Sequence, residues 1–367
     1  MKSPICEMFE IEFPRVAFSH CRDVVVAVSK AGGMGVLGAV GHTTEMLEQD
    51  LKWIDEHIEG KPYGVDILVP TTFEGKGSSV SSEDLINMIP QEYRDFRADV
   101  LKQHDVDGES LRNPSDSKKV EMDSDSRFGK NLKEKGAKKL LEVAFSHPIK
   151  LIANALGVPP HWMLEMGKAN NVKVAALLGA KEHAIKQVQA GVDVLVVSGT
   201  EGGGHCGSVS TMVLIPEVKR AIKDLGDVPI LAAGGIATGE QMAGIMTMGA
   251  DGVWCASVFL PTTEAETSEN IKEKMIQATS SQTVRSKSRT GKHSRQLQSA
   301  WTDAWESKDA PEPLPMPLQT IVGEPALAII SKQATLGHEG AKKLDTYWVG
   351  QGIGLVNETI SAGQTVQ

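Results

Sequence analysis

Short apolar runs recur along the chain, and each is followed by a turn signal and then by a helix-like segment. The runs are continuous rather than alternating, which is typical of parallel strands covered on both faces. Eight such runs occupy residues 15–18, 35–38, 63–68, 150–153, 172–176, 194–197, 229–233 and 252–255. Eightfold repetition of strand and helix predicts an α/β fold of the (β/α)8 TIM barrel type. A doubly wound sheet is the alternative, because periodicity alone does not decide whether a sheet closes.

Helical patterns fill the spaces between several of these runs. Residues 181–190 carry apolar side chains at helical spacing, and the pattern ends before Gly191. Residues 212–225 and 239–248 show a similar pattern. These segments are predicted to form the outer helices of the barrel.

Two regions interrupt the alternation. Residues 71–146 are polar and charged, which predicts a long insertion after the third strand with a helix around residues 132–145. Its acidic stretch, 121–126, lacks the spacing and terminal glutamate of a calcium loop and is interpreted as a solvated loop. Residues 261–333 are predicted to be helical, and the tail from residue 342 to form the last barrel helix. The domain prediction is a barrel of residues 1–258 and 338–367, with a helical capping segment at 259–337.

Composition and charge narrow the classes of partner. The net charge of −9 argues against nucleic acid, which calls for a basic face. The first residues lack the apolar core of a signal peptide, and no run is long enough to span a bilayer. The cysteines are far apart and show no metal-ligand spacing, so a reduced cytoplasmic protein without a metal site is expected. They are Cys6, Cys21, Cys206 and Cys255.

The loop after the sixth predicted strand has the most distinctive chemistry. Residues 199–207 read Gly-Thr-Glu-Gly-Gly-Gly-His-Cys-Gly. Glycines allow close approach of the backbone to a ligand, because no Cβ stands in the way. His205 has an ordinary pKa suited to proton transfer near neutral pH. A flexible turn with a surface histidine is the alternative interpretation.

The loops after the seventh and eighth predicted strands form a candidate phosphate site. Gly234 and Gly235 follow the seventh strand, and Ala256 and Ser257 follow the eighth. In parallel barrels this is the usual position for phosphate, which backbone N–H groups and a helix N-terminus can bind without a lysine or arginine. Glycines that only form tight turns are the alternative. A phosphate site beside a glycine loop and a histidine favours a phosphorylated cofactor with a flat ring, and flavin mononucleotide (FMN) fits.

Other candidate polar residues follow a strand or lie in residues 261–333, here called the late region. His20 follows the first strand and is interpreted either as a substrate contact facing His205 or as a packing histidine. A basic run in the late region is interpreted either as a solvated face or as a contact to an anionic group of substrate or NAD(P)H. It comprises Arg289, Lys292, His293 and Arg295.

Several motifs together resemble the nitronate monooxygenase family, formerly called 2-nitropropane dioxygenases. The segments that carry the resemblance are 27–35, 199–207, 214–218, 229–237, 249–254 and 352–355. The resemblance covers most of the chain except residues 71–146. Flavin-dependent enoyl reductases and some quinone reductases share these motifs.

The resemblance implies an FMN-dependent enzyme that oxidises alkyl nitronates with O2 to a carbonyl compound and nitrite. It implies His205 as the catalytic base or substrate-orienting group, with His20 as a tentative substrate contact. The implied cofactor-binding residues are Ala17, Phe18, Asp66, Ser198, Gly203, Gly204, Gly234, Gly235, Trp254, Cys255, Ala256 and Ser257.

Three positions depart from the family pattern. Asp66 stands where the family usually has an asparagine, and Ser198 where it often has a glutamine. Residues 16–20 replace the usual Gln-Ala-Pro-Met. An ionised Asp66 would repel an anionic reduced flavin unless it were protonated or paired.

The alternatives to a nitronate monooxygenase are an FMN-dependent NAD(P)H:quinone or enoyl-thioester reductase and, less favoured, a non-catalytic flavin-binding protein. The expected partners are a small-molecule substrate and O2, without nucleic acid or membrane. The sequence is compatible with a homo-oligomer and does not decide the oligomeric state.

Overall fold

The computed structural model describes residues 2–69, 82–112, 134–155 and 157–367. Eight parallel strands close into a barrel, which confirms the predicted fold class and excludes the doubly wound sheet. The acidic stretch 121–126 lies outside the described residues. The barrel strands are β1 (Arg15–Ser19), β2 (Met34–Gly38), β3 (Tyr63–Ile67), β4 (Leu151–Asn154), β5 (Lys173–Leu178), β6 (Val194–Ser198), β8 (Ile230–Ala233) and β9 (Gly252–Cys255).

Helices surround the barrel and extend beyond it. They are α1 (Pro4–Phe9), α2 (Arg22–Lys30), α3 (Thr44–His57), α4 (Ser82–Asn87), α5 (Gln91–Lys102), α6 (Glu134–Phe145), α7 (His161–Ala169), α8 (Lys181–Ala190), α9 (Thr211–Ile222), α10 (Gly239–Thr247), α11 (Glu269–Gln277), α12 (Ala300–Trp305), α13 (Leu318–Thr335), α14 (Glu339–Leu344) and α15 (Ala362–Val366). None of the helices in the described ranges is long and apolar enough to cross a membrane.

The alternation of side chains along each strand separates an inner core from an outer one. In β1, Val16 packs inside the barrel, whereas Ala17 packs against the helix layer. Helix α1 closes the amino-terminal end of the barrel, because its Ile5 and Phe9 join the same inner cluster as Val16. Ligands therefore have access at the opposite end, where the strands terminate.

The insertion after β3 is divided between two cores. Its helix α6 packs beside α3 in the outer layer of the barrel, through Leu140 and Leu141. Helices α4 and α5 instead share a separate apolar core with α12 and α13, which contains the buried Trp301 and Trp305. The Arg97 guanidinium links the insertion to the late region, because it donates to the backbone carbonyl of Leu111 and to those of Ile321 and Val322 on α13.

The late region differs from its all-helical expectation. It contains the antiparallel strands β10 (Thr283–Ser286) and β11 (Ser294–Leu297), and the latter pairs with β7 (Gly204–His205) to make a three-stranded sheet. These strands are rich in polar residues and are fixed by tertiary pairing, so local periodicity gives no sign of them.

The tail from residue 342 forms the last barrel helix only in its final residues. Helix α14 ends at Leu344, a 3-10 turn spans Gln351–Leu355, and only the short α15 packs on α2. Glycines at 350, 352 and 354 disfavour a continuous helix there.

Candidate active site at the barrel mouth

The mouth is lined by residues that end the barrel strands. Phe18 and Trp254 point inward and stack with ring centroids 6.2 Å apart. Ser198 shares the inward-facing alternation of Val194 and Val196 on β6. These three predicted cofactor-binding residues therefore lie on the inner face of the barrel.

Two predicted residues have their side chains on the other face. Ala17 and Cys255 are paired in register between β1 and β9, and both pack in the outer core among the helices. Their side chains point away from the mouth, so only their backbone atoms can contribute to a ligand site there. Burial also raises the pKa of the Cys255 thiol, which keeps it protonated.

Asp66 carries a buried carboxyl group near the C-terminal end of β3, on the inner face of the barrel. Its neighbours on β3, Val65 and Ile67, belong to the outer core, so Asp66 points inward. The residue is only 4% exposed, and its Oδ2 atom is buried with no hydrogen-bond partner among the described residues. Burial raises the pKa of Asp66 to about 8.

The glycine loop after β6 is held by a carboxylate. Glu201 Oε2 accepts hydrogen bonds of 2.9 Å from both the backbone N–H and the hydroxyl of Thr211, at the start of α9. A carboxylate at this position satisfies an otherwise unpaired N–H and interacts favourably with the helix dipole. The loop is therefore a fixed structure rather than a flexible turn.

The neighbouring glycines play different roles. A Cβ on Gly203 would lie 2.8 Å from backbone atoms of Val349 and Gly350, so only glycine permits this contact. Gly204 has a φ of +75° and open space where a Cβ would be. Gly203 is thus needed for packing, while Gly204 leaves space at the mouth.

The candidate phosphate loops contain backbone N–H groups with no acceptor. Gly234 and Gly235 adopt φ values of +97° and +75°. In the described part of the chain, nothing accepts a hydrogen bond from the N–H of Gly235 or Ile236. Ser257 begins a 3-10 turn after β9, and the first N–H groups of such a turn have no acceptor within it.

The tail segment, residues 349–352, joins these loops. The Gly350 N–H donates to Ser257 Oγ at 2.8 Å, and the Gln351 N–H donates to the carbonyl of Glu201 at 2.9 Å. A Cβ on Gly352 would lie 2.8 Å from the carbonyl oxygen of Gly235. The loops after β6, β8 and β9 therefore meet at one place, and the Ser257 hydroxyl already has a partner.

His205 is positioned by the three-stranded sheet. It pairs with Ser294 of β11, and its Nε2 lies 2.8 Å from Thr290 Oγ1. Its ring lies 5.7 Å from that of Trp348, whose Nε1 donates to Ser294 Oγ at 3.2 Å. The late region and the tail thus fix the orientation of the imidazole at the mouth.

The surroundings of His205 favour its neutral form. His205 is exposed to solvent, but the protein packed around its ring, together with the charges of Lys292 and Arg289, lowers the pKa of His205 below its ordinary value. Arg289 lies over the Trp348 ring at 4.2 Å and forms a two-pronged ion pair with Glu324. Lys292 is exposed and forms no ion pair within the described ranges.

The rest of the basic run does not form one surface. Arg295 donates to the carbonyls of Thr200 and Thr283 and therefore holds the glycine loop against β10. His293 is exposed, and its backbone carbonyl accepts from the Cys206 N–H. Only part of the run thus affects His205.

His20 follows β1 at the rim of the mouth, next to Phe18. Its Nδ1 is 2.9 Å from the carbonyl oxygen of Gly38, and its ring meets Phe18 edge to face at 5.1 Å. Desolvation and the neighbouring His42 lower the pKa of His20. Its described contacts do not include His205.

Sequence reasoning did not identify four residues that organise the site. Glu201 and Thr211 hold the glycine loop, while Thr290 and Trp348 position His205. Only Glu201 lies within a motif that the sequence singled out. Thr211 lies ten residues beyond Glu201, at the start of α9. Thr290 and Trp348 reach His205 through contacts between segments that are distant along the chain.

Comparisons with known proteins agree with this architecture. The family model described as Nitronate monooxygenase matches residues 5–367. A Mycobacterium tuberculosis protein provisionally named monooxygenase Rv1533 is 47% identical over 370 residues, covering all of this chain and 95% of the relative. A Staphylococcus aureus protein provisionally named nitronate monooxygenase is 25% identical, covering 95% of this chain and 91% of the relative.

Solved structures share the fold. Nitroalkane oxidase from Streptomyces ansochromogenes aligns with a TM-score of 0.74 at 20% identity, covering 99% of this chain and 95% of that one. FabK from Thermotoga maritima aligns with a TM-score of 0.70 at 22% identity, covering 100% and 94%. The family match over nearly the whole chain and the close relative lead to one conclusion: this chain belongs to the nitronate monooxygenase family and is a flavin-dependent oxidoreductase acting on a small molecule.

Proposed function

We propose that this protein is an FMN-dependent nitronate monooxygenase, which oxidises alkyl nitronates with O2 to carbonyl compounds and nitrite. The observation that carries the proposal is an oriented His205 with a lowered pKa at the same mouth as the N–H groups of Gly235 and Ile236, for which the described residues provide no acceptor. Family membership supports the flavin, and the loop geometry supports its mononucleotide form.

The residues at the mouth fit FMN. The N–H groups of Gly235 and Ile236, which have no acceptor among the described residues, would hold the phosphate together with those at the start of the turn at Ser257. The open space at Gly204 and the inward-facing Phe18 and Trp254 would accommodate the flat ring. Asp66, whose Oδ2 has no hydrogen-bond partner among the described residues, lies on β3, opposite β8 in the barrel order, and would contribute a polar group to the same mouth.

Bound flavin would supply the redox chemistry with O2, and the protein would supply placement and proton transfer. Thr290 Oγ1 lies 2.8 Å from His205 Nε2 and 3.3 Å from the carbonyl oxygen of Lys292. When the hydroxyl donates to that carbonyl, it accepts from Nε2–H, and Nδ1 becomes the basic nitrogen. His205 would then accept the α-proton of a nitroalkane at Nδ1, and the resulting nitronate anion would lie near the Lys292 charge.

The two roles open for His205 are thereby distinguished. A lowered pKa leaves the imidazole mainly neutral at pH 7, which favours proton abstraction over binding of the nitronate oxygens by an imidazolium. Steady-state turnover of neutral nitroalkanes should consequently require His205 more than turnover of preformed nitronates does.

The test compares His205→Asn with His183→Asn, a control on the exposed face of α8. Both variants should bind FMN, and nitrite release from a neutral nitroalkane should fall roughly 100-fold or more only in His205→Asn. Near-normal turnover in His205→Asn would overturn its catalytic role. Rapid bleaching of the flavin by NADH in the wild type, without turnover of nitronates, would favour the reductase instead.

A further inference from the structure

An unpartnered carboxyl group faces the mouth from β3. In register, Asp66 lies between Gly38 of β2 and Ala153 of β4, neither of which has a polar side chain. The Asp66 backbone carbonyl accepts from the Ala39 N–H, so the backbone of this position is satisfied. The side chain is the part left without a described partner.

The ionisable groups on neighbouring elements form hydrogen bonds or ion pairs with residues other than Asp66. His20 contacts the Gly38 carbonyl, and Tyr63 on β3 itself points outward. Tyr63 and His147 both contact Asp55, while Arg22 and His42 both contact Asp50. No described cation thus pairs with Asp66, and a buried carboxylate without a partner is strongly disfavoured.

Two observations on Asp66 point to a ligand. First, its Oδ2 is buried and has no hydrogen-bond partner in the described part of the chain, and an unsatisfied buried polar atom is costly unless something else satisfies it. Second, it lies on the inner face, at the end of the barrel where the strands terminate. A neutral carboxyl group has one O–H to donate, whereas an ionised one has none.

We propose that Asp66 is a cofactor-positioning residue that donates its carboxyl O–H to a hydrogen-bond acceptor of the flavin ring. This inference rests on the proposed FMN site. An asparagine would also present a donor there, but only the aspartate loses its donor and gains a negative charge when the pH rises. Cofactor binding in this chain is therefore pH-dependent at a position that an amide would leave insensitive.

The direction of the pH effect follows from burial. Burial raises the pKa of Asp66 to about 8, so the donor is present at neutral pH and lost above that value. If only the protonated form binds FMN, the dissociation constant rises about tenfold by pH 9. Binding itself holds the proton more firmly, so the complex releases it at higher pH than the free protein.

The experiment titrates flavin-free protein with FMN at pH 6.5 and at pH 9 and follows quenching of flavin fluorescence. Between pH 6.5 and pH 9 the FMN affinity of the wild type should fall about tenfold relative to that of Asp66→Asn. Titrations of the FMN phosphate and ring affect both proteins equally and cancel in the ratio. Circular dichroism confirms that both proteins are folded.

The outcomes separate this inference from the proposed function. Tight FMN binding with a wild-type to Asp66→Asn ratio independent of pH would overturn the role of Asp66 while leaving the FMN site intact. Absence of FMN binding in both proteins would overturn the proposed function, and the inference with it.

Discussion

Replacing Asp66 by asparagine should stabilise the flavin-free protein, by an amount that grows with pH. Asparagine has nearly the same size as aspartate, so the substitution changes little in packing. It removes the need to keep a proton on a buried carboxyl that is ionised in the unfolded chain. The pKa of Asp66 rises from 3.8 to about 8 on folding, through desolvation.

The magnitude follows from proton linkage. Between pH 4 and 8 the folded protein binds more protons at Asp66 than the unfolded chain does, so its stability falls as pH rises. Each pH unit in this window costs about 1.4 kcal/mol. Between pH 5 and 7 the wild type should therefore lose about 3 kcal/mol of unfolding free energy relative to Asp66→Asn.

Urea denaturation of the two flavin-free proteins at pH 5, 6 and 7 measures this difference. Asp309→Asn, at an exposed carboxyl, is the matched control and should show no such trend. A stability difference between wild type and Asp66→Asn that stays constant over these pH values would refute the claim that Asp66 is protonated when buried.

Two further predictions concern the glycine loop and its histidine. Lys292→Gln should raise the pKa of His205, because one of the two charges that lower it is removed; the midpoint of the pH dependence of turnover reports the change, and Lys287→Gln is the control. Gly203→Ala should weaken FMN binding strongly, because its Cβ would lie 2.8 Å from backbone atoms that cannot move independently. Gly204→Ala meets open space and should cost only about 1 kcal/mol of stability for its positive φ.

The opposite results would contradict these arguments. An unchanged midpoint in Lys292→Gln would mean that the lysine charge does not reach the imidazole. Equal effects of the two alanine substitutions on FMN titrations would mean that the contact between Gly203 and the tail segment does not shape the site.

The barrel could be predicted because its strands are continuous apolar runs, such as Val194 to Val197. Buried parallel strands require that composition regardless of what lies elsewhere in the chain. Likewise, Gly234 and Gly235 have positive φ values, which glycine adopts readily, so a pair of glycines in the sequence predicts the tight turn there. The mouth and the candidate phosphate loops therefore follow from local pattern.

The surroundings of the histidine could not be predicted in this way. Thr290 and Trp348 reach His205 only because β11 pairs with β7, a contact between distant segments. β10 carries polar residues such as Thr283 and Arg285, which gave no strand signal. The missing partner of Asp66 is likewise a property of the folded surroundings and is not encoded in its own position.

The most direct test of the proposed FMN site is the absorption spectrum of the purified protein, followed by identification of the cofactor released on denaturation. We expect flavin bands at about 370 and 450 nm and release of FMN. A protein that is colourless, and that remains so after incubation with FMN and removal of the excess, would contradict the proposed site at the barrel mouth.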